Sequence, residues 1–161
     1  MIAHDVIAIT EELASVPRFL KEALGSVAAT DLDRHIDGVE FSLRQQLCHL
    51  RDTELEGYLV RIVRIAAETE PLLIDLNGSE LARIRRYERQ DPELAISDFA
   101  SLRALTVAKL RKLPPDAWAR TGLFAPDSPF DVHELTAMML AHDVQHCDEI
   151  SALVAAAAKD R

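Results

Sequence analysis

Two histidines four residues apart, His142 and His146, fall near the centre of the stripe Leu135, Met138, Met139, His142, His146, Glu149, Ile150 and Leu153. At 100° per residue of helix that stripe fills an arc of about 100°. Imidazoles at this spacing project from one face and can reach a single metal ion. In a buried stripe each also needs a polar partner to offset its lost hydration, so the alternative is a pair of hydrogen-bonded core histidines. A third ligand has to come from another helix. The segment Leu47-Cys48-His49-Leu50-Arg51-Asp52-Thr53-Glu54 offers His49, in line with Asp52, Glu56, Val60 and Val63 at the edge of a wide apolar arc. A histidine there, taken alone, is ordinarily a surface or half-buried residue. His4, His35 and His133 show no convergent spacing, and Cys48 and Cys147 turn about 100° away from the histidines they adjoin, as small core residues do.

The elements that must position these histidines are helices. Ile2, Val6, Ile9, Leu13, Val16, Leu20, Ala23 and Val27 form one helical stripe, in which Pro17 removes a backbone donor and predicts a kink or a junction of two pieces. Gly25 and the polar run from Thr30 to Asp37 mark the exit. Ser42 with Gln45 forms a capping box that opens a second helix running to about Glu68 and closed by Pro71. From Pro71 to Gln90 the pattern weakens into an irregular, partly helical connector. Asn77-Gly78 predicts a turn there, and Arg83, Arg85, Arg86 and Arg89 form a solvated face or pair with surplus acids. Asp91-Pro92 caps a third helix carrying Ile96, Phe99, Leu102, Leu105, Leu110 and Leu113, which ends at Pro114-Pro115. A long loop from Pro114 to Phe130, with Trp118, Arg120, Gly122, Pro126 and Pro129, leads to the Asp131/Glu134 capping box and a last helix over about 132–158. Four long helices with one irregular connector predict an all-α four-helix bundle, a single domain spanning residues 1–161.

Composition agrees. The chain has 161 residues, 48% hydrophobic, with only 5 glycines and 5% aromatic residues, a balance that favours helix over sheet and supports one core. A net charge of −9 has the wrong sign for covering phosphates, which argues against nucleic-acid partners. Two cysteines make no disulfide framework, and no apolar run approaches the roughly 18–20 residues of a membrane span. His4 and Asp5 interrupt what would be a signal peptide. The expectation is a cytoplasmic protein that avoids membranes.

The run Ser42-Leu43-Arg44-Gln45-Gln46-Leu47-Cys48-His49-Leu50-Arg51-Asp52-Thr53-Glu54, followed by Arg61 and Pro71, resembles the second helix of the DinB-like superfamily, which includes YfiT-type proteins. Arg103 with Leu110 and Leu113, then Trp118-Ala119-Arg120-Thr121-Gly122, then Leu135 and Leu140-Ala141-His142-Asp143-Val144-Gln145-His146 resemble the rest of that pattern in order. The resemblance implies a four-helix bundle holding one metal on His49, His142 and His146. Related sequences often carry a histidine shortly after the Trp-x-Arg-x-Gly stretch; this chain has Phe124.

Three neutral imidazoles leave a metal its full charge and at least one open position, the arrangement of a reactive site, and zinc, nickel and iron all suit such ligands. Each ligand histidine needs an acceptor for its second ring nitrogen. Asp52, Asp143 and Glu149 are the nearby carboxylates, Asp143 pointing away from His142 and Asp52 being either an acceptor, a substrate-facing acid or a solvated charge. Arg120 could bind a substrate carboxylate, or serve in packing or an ion pair. The resemblance implies a metal-dependent enzyme acting on a small molecule, a low-molecular-weight-thiol S-transferase or a hydrolase. The alternative is a non-catalytic, stress-associated module that binds metal or forms a homodimer.

Overall fold

The computed structural model describes residues 2–125 and 127–159, and side chains from residue 6 onward. Pro126 and the side chains of Ile2 and His4 lie outside them. Six α-helices, α1 (Ile2–Gly25), α2 (Leu43–Asp52), α3 (Val60–Ala67), α4 (Gly78–Arg85), α5 (Pro92–Lys112) and α6 (Val132–Lys159), carry most of the described chain. A π-helical segment, Thr53–Leu59, joins α2 to α3, so the two form one long arm of the bundle. Helix α1 packs on α5 and α6, and the α2–α3 arm packs on the same two, which sets the first and second arms diagonally across the bundle.

Local chemistry sets the ends. The Ser42/Gln45 capping box is present in both directions, Asp91 accepts from the backbone of Glu93 and Leu94, and Asp131 and Glu134 cap α6 reciprocally. Helix α1 runs unbroken through Pro17. The carbonyl of Leu13, which Pro17 leaves without its helical donor, accepts instead from Arg103 Nη1 at 3.0 Å. Two apolar clusters fill the bundle: one around Leu20, Leu47, Tyr87 and Phe99, the other around Leu13, Ile62, Leu110 and Leu135. No helix among the described residues is long and apolar enough to cross a membrane.

Two expectations need correction. Asn77-Gly78 is a helix start, with Asn77 Oδ1 accepting from Glu80 N and Gly78 opening α4. The stretch from Pro114 to Phe130 is not a loop open for binding. Trp118 is buried in a 3₁₀ turn (Pro115–Ala119), and strands β1 (Thr121–Ala125) and β2 (Ser128–Asp131) form an antiparallel hairpin. Its β1 also pairs with the connector, through Leu73 N to Leu123 O and Leu123 N to Pro71 O. Thr121, Phe124 and Phe130 are β-favouring side chains, and this local preference supports the hairpin.

Candidate metal centre

Helix α6 carries His142 and His146 on its inward face, and α2 brings His49 against them from the opposite arm. His142 Nε2 lies 3.2 Å from both His49 Nε2 and His146 Nε2, and the candidate ligand atoms of the three rings all fall within 4.8 Å of one another. His49 is 8% exposed and His146 6%, while His142 is half-buried.

The surroundings of His146 fix its tautomer. Gln46, wholly buried, donates through Nε2 to Glu149 Oε2 at 2.6 Å, which orients its amide. Its Oε1 therefore accepts the Nδ1 proton of His146 at 2.6 Å, and Glu149 Oε2 lies 3.1 Å from the same nitrogen. This leaves the Nε2 lone pair of His146 aimed into the cluster. Burial above all, reinforced by the neighbouring rings, lowers the pKa of His49 to about 4 and that of His142 to about 2. Burial also lowers that of His146, against the pull of Glu149. The histidines are neutral at neutral pH, as metal ligation requires.

A neutral imidazole has one proton, so His142 Nε2 cannot satisfy two neighbouring lone pairs, and the Nδ1 atoms of His49 and His142 are buried without a partner. A cation shared by the three Nε2 atoms resolves the crowding. Two nitrogens on one tetrahedral zinc, each about 2.0–2.1 Å from it, stand about 3.3 Å apart, close to the spacing found here. The donor set fits one divalent transition metal.

Immediately behind the histidines a second polar cluster spans the bundle. Arg103, 1% exposed, donates to Asp143 Oδ2 (2.5 Å), Asp143 Oδ1 (3.1 Å), Glu54 Oε2 (2.9 Å) and the Leu13 carbonyl. Thr106 donates to the other oxygen of Glu54 at 2.5 Å. Asp143 thus points away from His142, as its helical position predicts.

The remaining site expectations fare differently. Asp52 is buried beside His49, yet its carboxylate is taken by Arg51 (2.7 Å), Tyr87 (2.7 Å) and Arg85 (2.8 Å), so it fastens the connector to α2 rather than holding a histidine. Glu149 holds the histidine instead. Arg120 donates to the Glu68 carbonyl at 2.7 Å, at the C-terminal end of α3, where unpaired carbonyls attract a cation. Glu68 lies nineteen residues beyond His49, about 28 Å of helix, so this contact does not put Arg120 at the histidines. The hairpin packs at the Arg120 end as well, and Phe124 meets Phe130 edge to face and lies under Arg61. The thiols of Cys48 and Cys147 are pushed up to about 11 by burial, as befits packing residues.

Sequence reasoning missed Gln46 and Glu54. Nothing marks a lone glutamine as a histidine's acceptor. Glu54 left a trace: Leu50, Glu54, Tyr58 and Ile62 are all buried in successive steps of four, wider than the 3.6-residue period, which is the footprint of the π segment.

Among proteins of curated function none matches the chain. Its structure is similar to that of YfiT from Bacillus subtilis, described as a probable metal-dependent hydrolase with an unusual four-helix bundle topology. The TM-score is 0.84 at 22% identity, over 92% of this chain and 85% of the other, a likeness of fold. The family model of the DinB superfamily matches residues 8–150, a span that takes in all three histidines, and the chain belongs to that superfamily.

Proposed function

We propose that this protein is a divalent-metal-dependent enzyme that turns a small nucleophile, water or a low-molecular-weight thiol, against a small-molecule substrate. The observation that carries the reading is the convergence of the His49 and His146 Nε2 atoms on His142 Nε2, each at 3.2 Å, with no proton donor to satisfy them all. A divalent metal such as zinc, nickel or iron, when bound, supplies Lewis acidity and lowers the pKa of a water or thiol at the position that three protein ligands leave open. The chain's own residues do the rest. Gln46 and Glu149 hold the His146 ring and its tautomer. Half-buried His142, with the Tyr58 ring 5.7 Å from it, leaves the cluster its wettest side. Low ligand pKa values keep the donor set competent well below neutrality. The description of YfiT as a probable hydrolase supports water as the nucleophile; thiol transfer would use the same ligands.

The test is turnover by metal-loaded protein on a panel of esters, amides and electrophiles, with and without low-molecular-weight thiols. Turnover abolished by chelation and by His142→Ala is expected, and dependence on thiol separates transfer from hydrolysis. Retained metal with no turnover across the panel would mark a binding module instead.

A further inference from the structure

We propose that Gly78 is a positioning residue for the metal centre: its bare Cα lets the N-terminus of α4 close on the His49 ring, and the connector thereby sets that ligand's orientation. This rests on the three-histidine reading and deepens it.

A Cβ built on Gly78 would stand 2.7 Å from His49 Cε1 and 2.9 Å from Nδ1, distances that real side chains do not tolerate. The contact falls on the Nδ1–Cε1 edge, beside the nitrogen that faces His142 and His146. No hydrogen bond holds that edge, since His49 Nδ1 is buried without a partner. Packing has to supply the orientation that a hydrogen bond supplies for His146. Gly78 on one side and the Phe41 ring, with its centroid 5.2 Å away, are the contacts available to do so.

Helix α4 cannot simply drift off. Ser79 Oγ donates to Glu40 Oε1 at 2.5 Å, and Ala82 is in the core. Arg85 reaches Asp52 at 2.8 Å and Glu56 at 2.6 Å, and buried Tyr87 donates to Asp52 at 2.7 Å. A second glycine serves the same close approach, because a Cβ on Gly57 would meet the Leu76 side chain at 3.3 Å. Asp52, whose Oδ2 takes both Tyr87 and Arg85 of the connector, acts on His49 through this clasp.

The backbone gives no reason for glycine at 78. It opens a regular helix without the positive φ that favours glycine, and alanine is the better helix former. Helix propensity alone therefore predicts that Gly78→Ala is neutral or stabilising. Our assignment predicts a weaker, distorted metal site.

The experiment is Co2+ titration of the apoprotein, read as affinity and as the ligand-field absorption spectrum, with helix content checked by circular dichroism. Gly78→Ala is expected to keep wild-type helix content, to lose at least tenfold in Co2+ affinity and to change the spectrum. Gly25→Ala, where an added Cβ meets nothing within 4 Å, should match the wild type. Tyr87→Phe loosens the clasp without adding atoms, should lose a few-fold, and decides the matter if Gly78→Ala does not fold. Wild-type affinity and spectrum in Gly78→Ala, or in Tyr87→Phe should that variant be needed, overturn the assignment while leaving the metal reading intact. Wild-type protein that takes up no Co2+ overturns both.

Discussion

Two polar clusters lie next to each other in the bundle, joined through the neighbours His142 and Asp143, and they are built on opposite plans. Around Arg103, both carboxylates face the guanidinium, both oxygens of each are engaged, and the carbonyl freed by Pro17 is drawn in, with Nε alone of the guanidinium nitrogens left without a partner. Around His142, three Nε2 atoms face one another and two further ring nitrogens have no partner. Buried polar groups are costly unless paired, so a core keeps an unpaired set only where something else completes it. The charge-matched cluster reads as structure, and the cluster of facing imidazole nitrogens reads as a binding site.

Breaking the charge-matched cluster should cost most. Arg103→Met strands Glu54 and Asp143 as buried charges, and a loss of about 3–5 kcal/mol in urea unfolding is expected. In the apoprotein, His142→Leu orphans no charge and should shift stability by about 1 kcal/mol or less. Comparable losses in both variants would erase the distinction.

Acid should act on the open cluster. Its histidines have folded-state pKa values below the unfolded value of about 6.5, so the stability they lend is full above that value and is lost as pH falls toward about 4 for His49 and about 2 for His142. In the apoprotein each neutral histidine contributes a slope of up to about 1.4 kcal/mol per pH unit in that window. Unfolding midpoints measured from pH 7 to pH 4 should fall accordingly, and this component should shrink in His142→Leu.

The comparison sharpens at the one histidine that has a partner. Gln46→Ala removes the shorter of the two contacts at His146 Nδ1, and with it the donor that positions Glu149, and should weaken metal binding about tenfold or more, with the helices retained. Arg120→Ala should do least. It loses one exposed hydrogen bond far from the histidines, so metal affinity and KM should match those of Arg111→Ala, with stability changed by about 0.5 kcal/mol or less.

Much of this was legible in sequence where one rule acted alone. The capping boxes at Ser42 and Asp131 and the cap at Asp91 stand where side-chain chemistry places them, and His142 and His146 share a face because a single unbroken helix carries both. The reading failed where a second influence intervened. A fixed turn angle of 100° aligned His49 with Val60 and Val63 at the edge of the helix and passed over Glu54, whereas across the π segment that line is broken: Val60 and Val63 are exposed while His49 and Glu54 are buried. Besides its neighbour Arg51, Asp52 is held by Arg85 and Tyr87, 33 and 35 residues away, and Arg120 by the Glu68 carbonyl, 52 residues away, pairings that no local pattern encodes. Asn77-Gly78 has the composition of a turn, yet the tertiary contact with His49 explains the glycine.

The most direct measurement is elemental analysis of the purified protein after equilibration with a mild chelator, on wild type and on His49→Ala. About one divalent transition metal per chain in the wild type, and little or none in the variant with its helix content intact, is the expected result. Metal retained at the wild-type level by His49→Ala, or none in the wild type even after loading, would contradict the three-histidine centre.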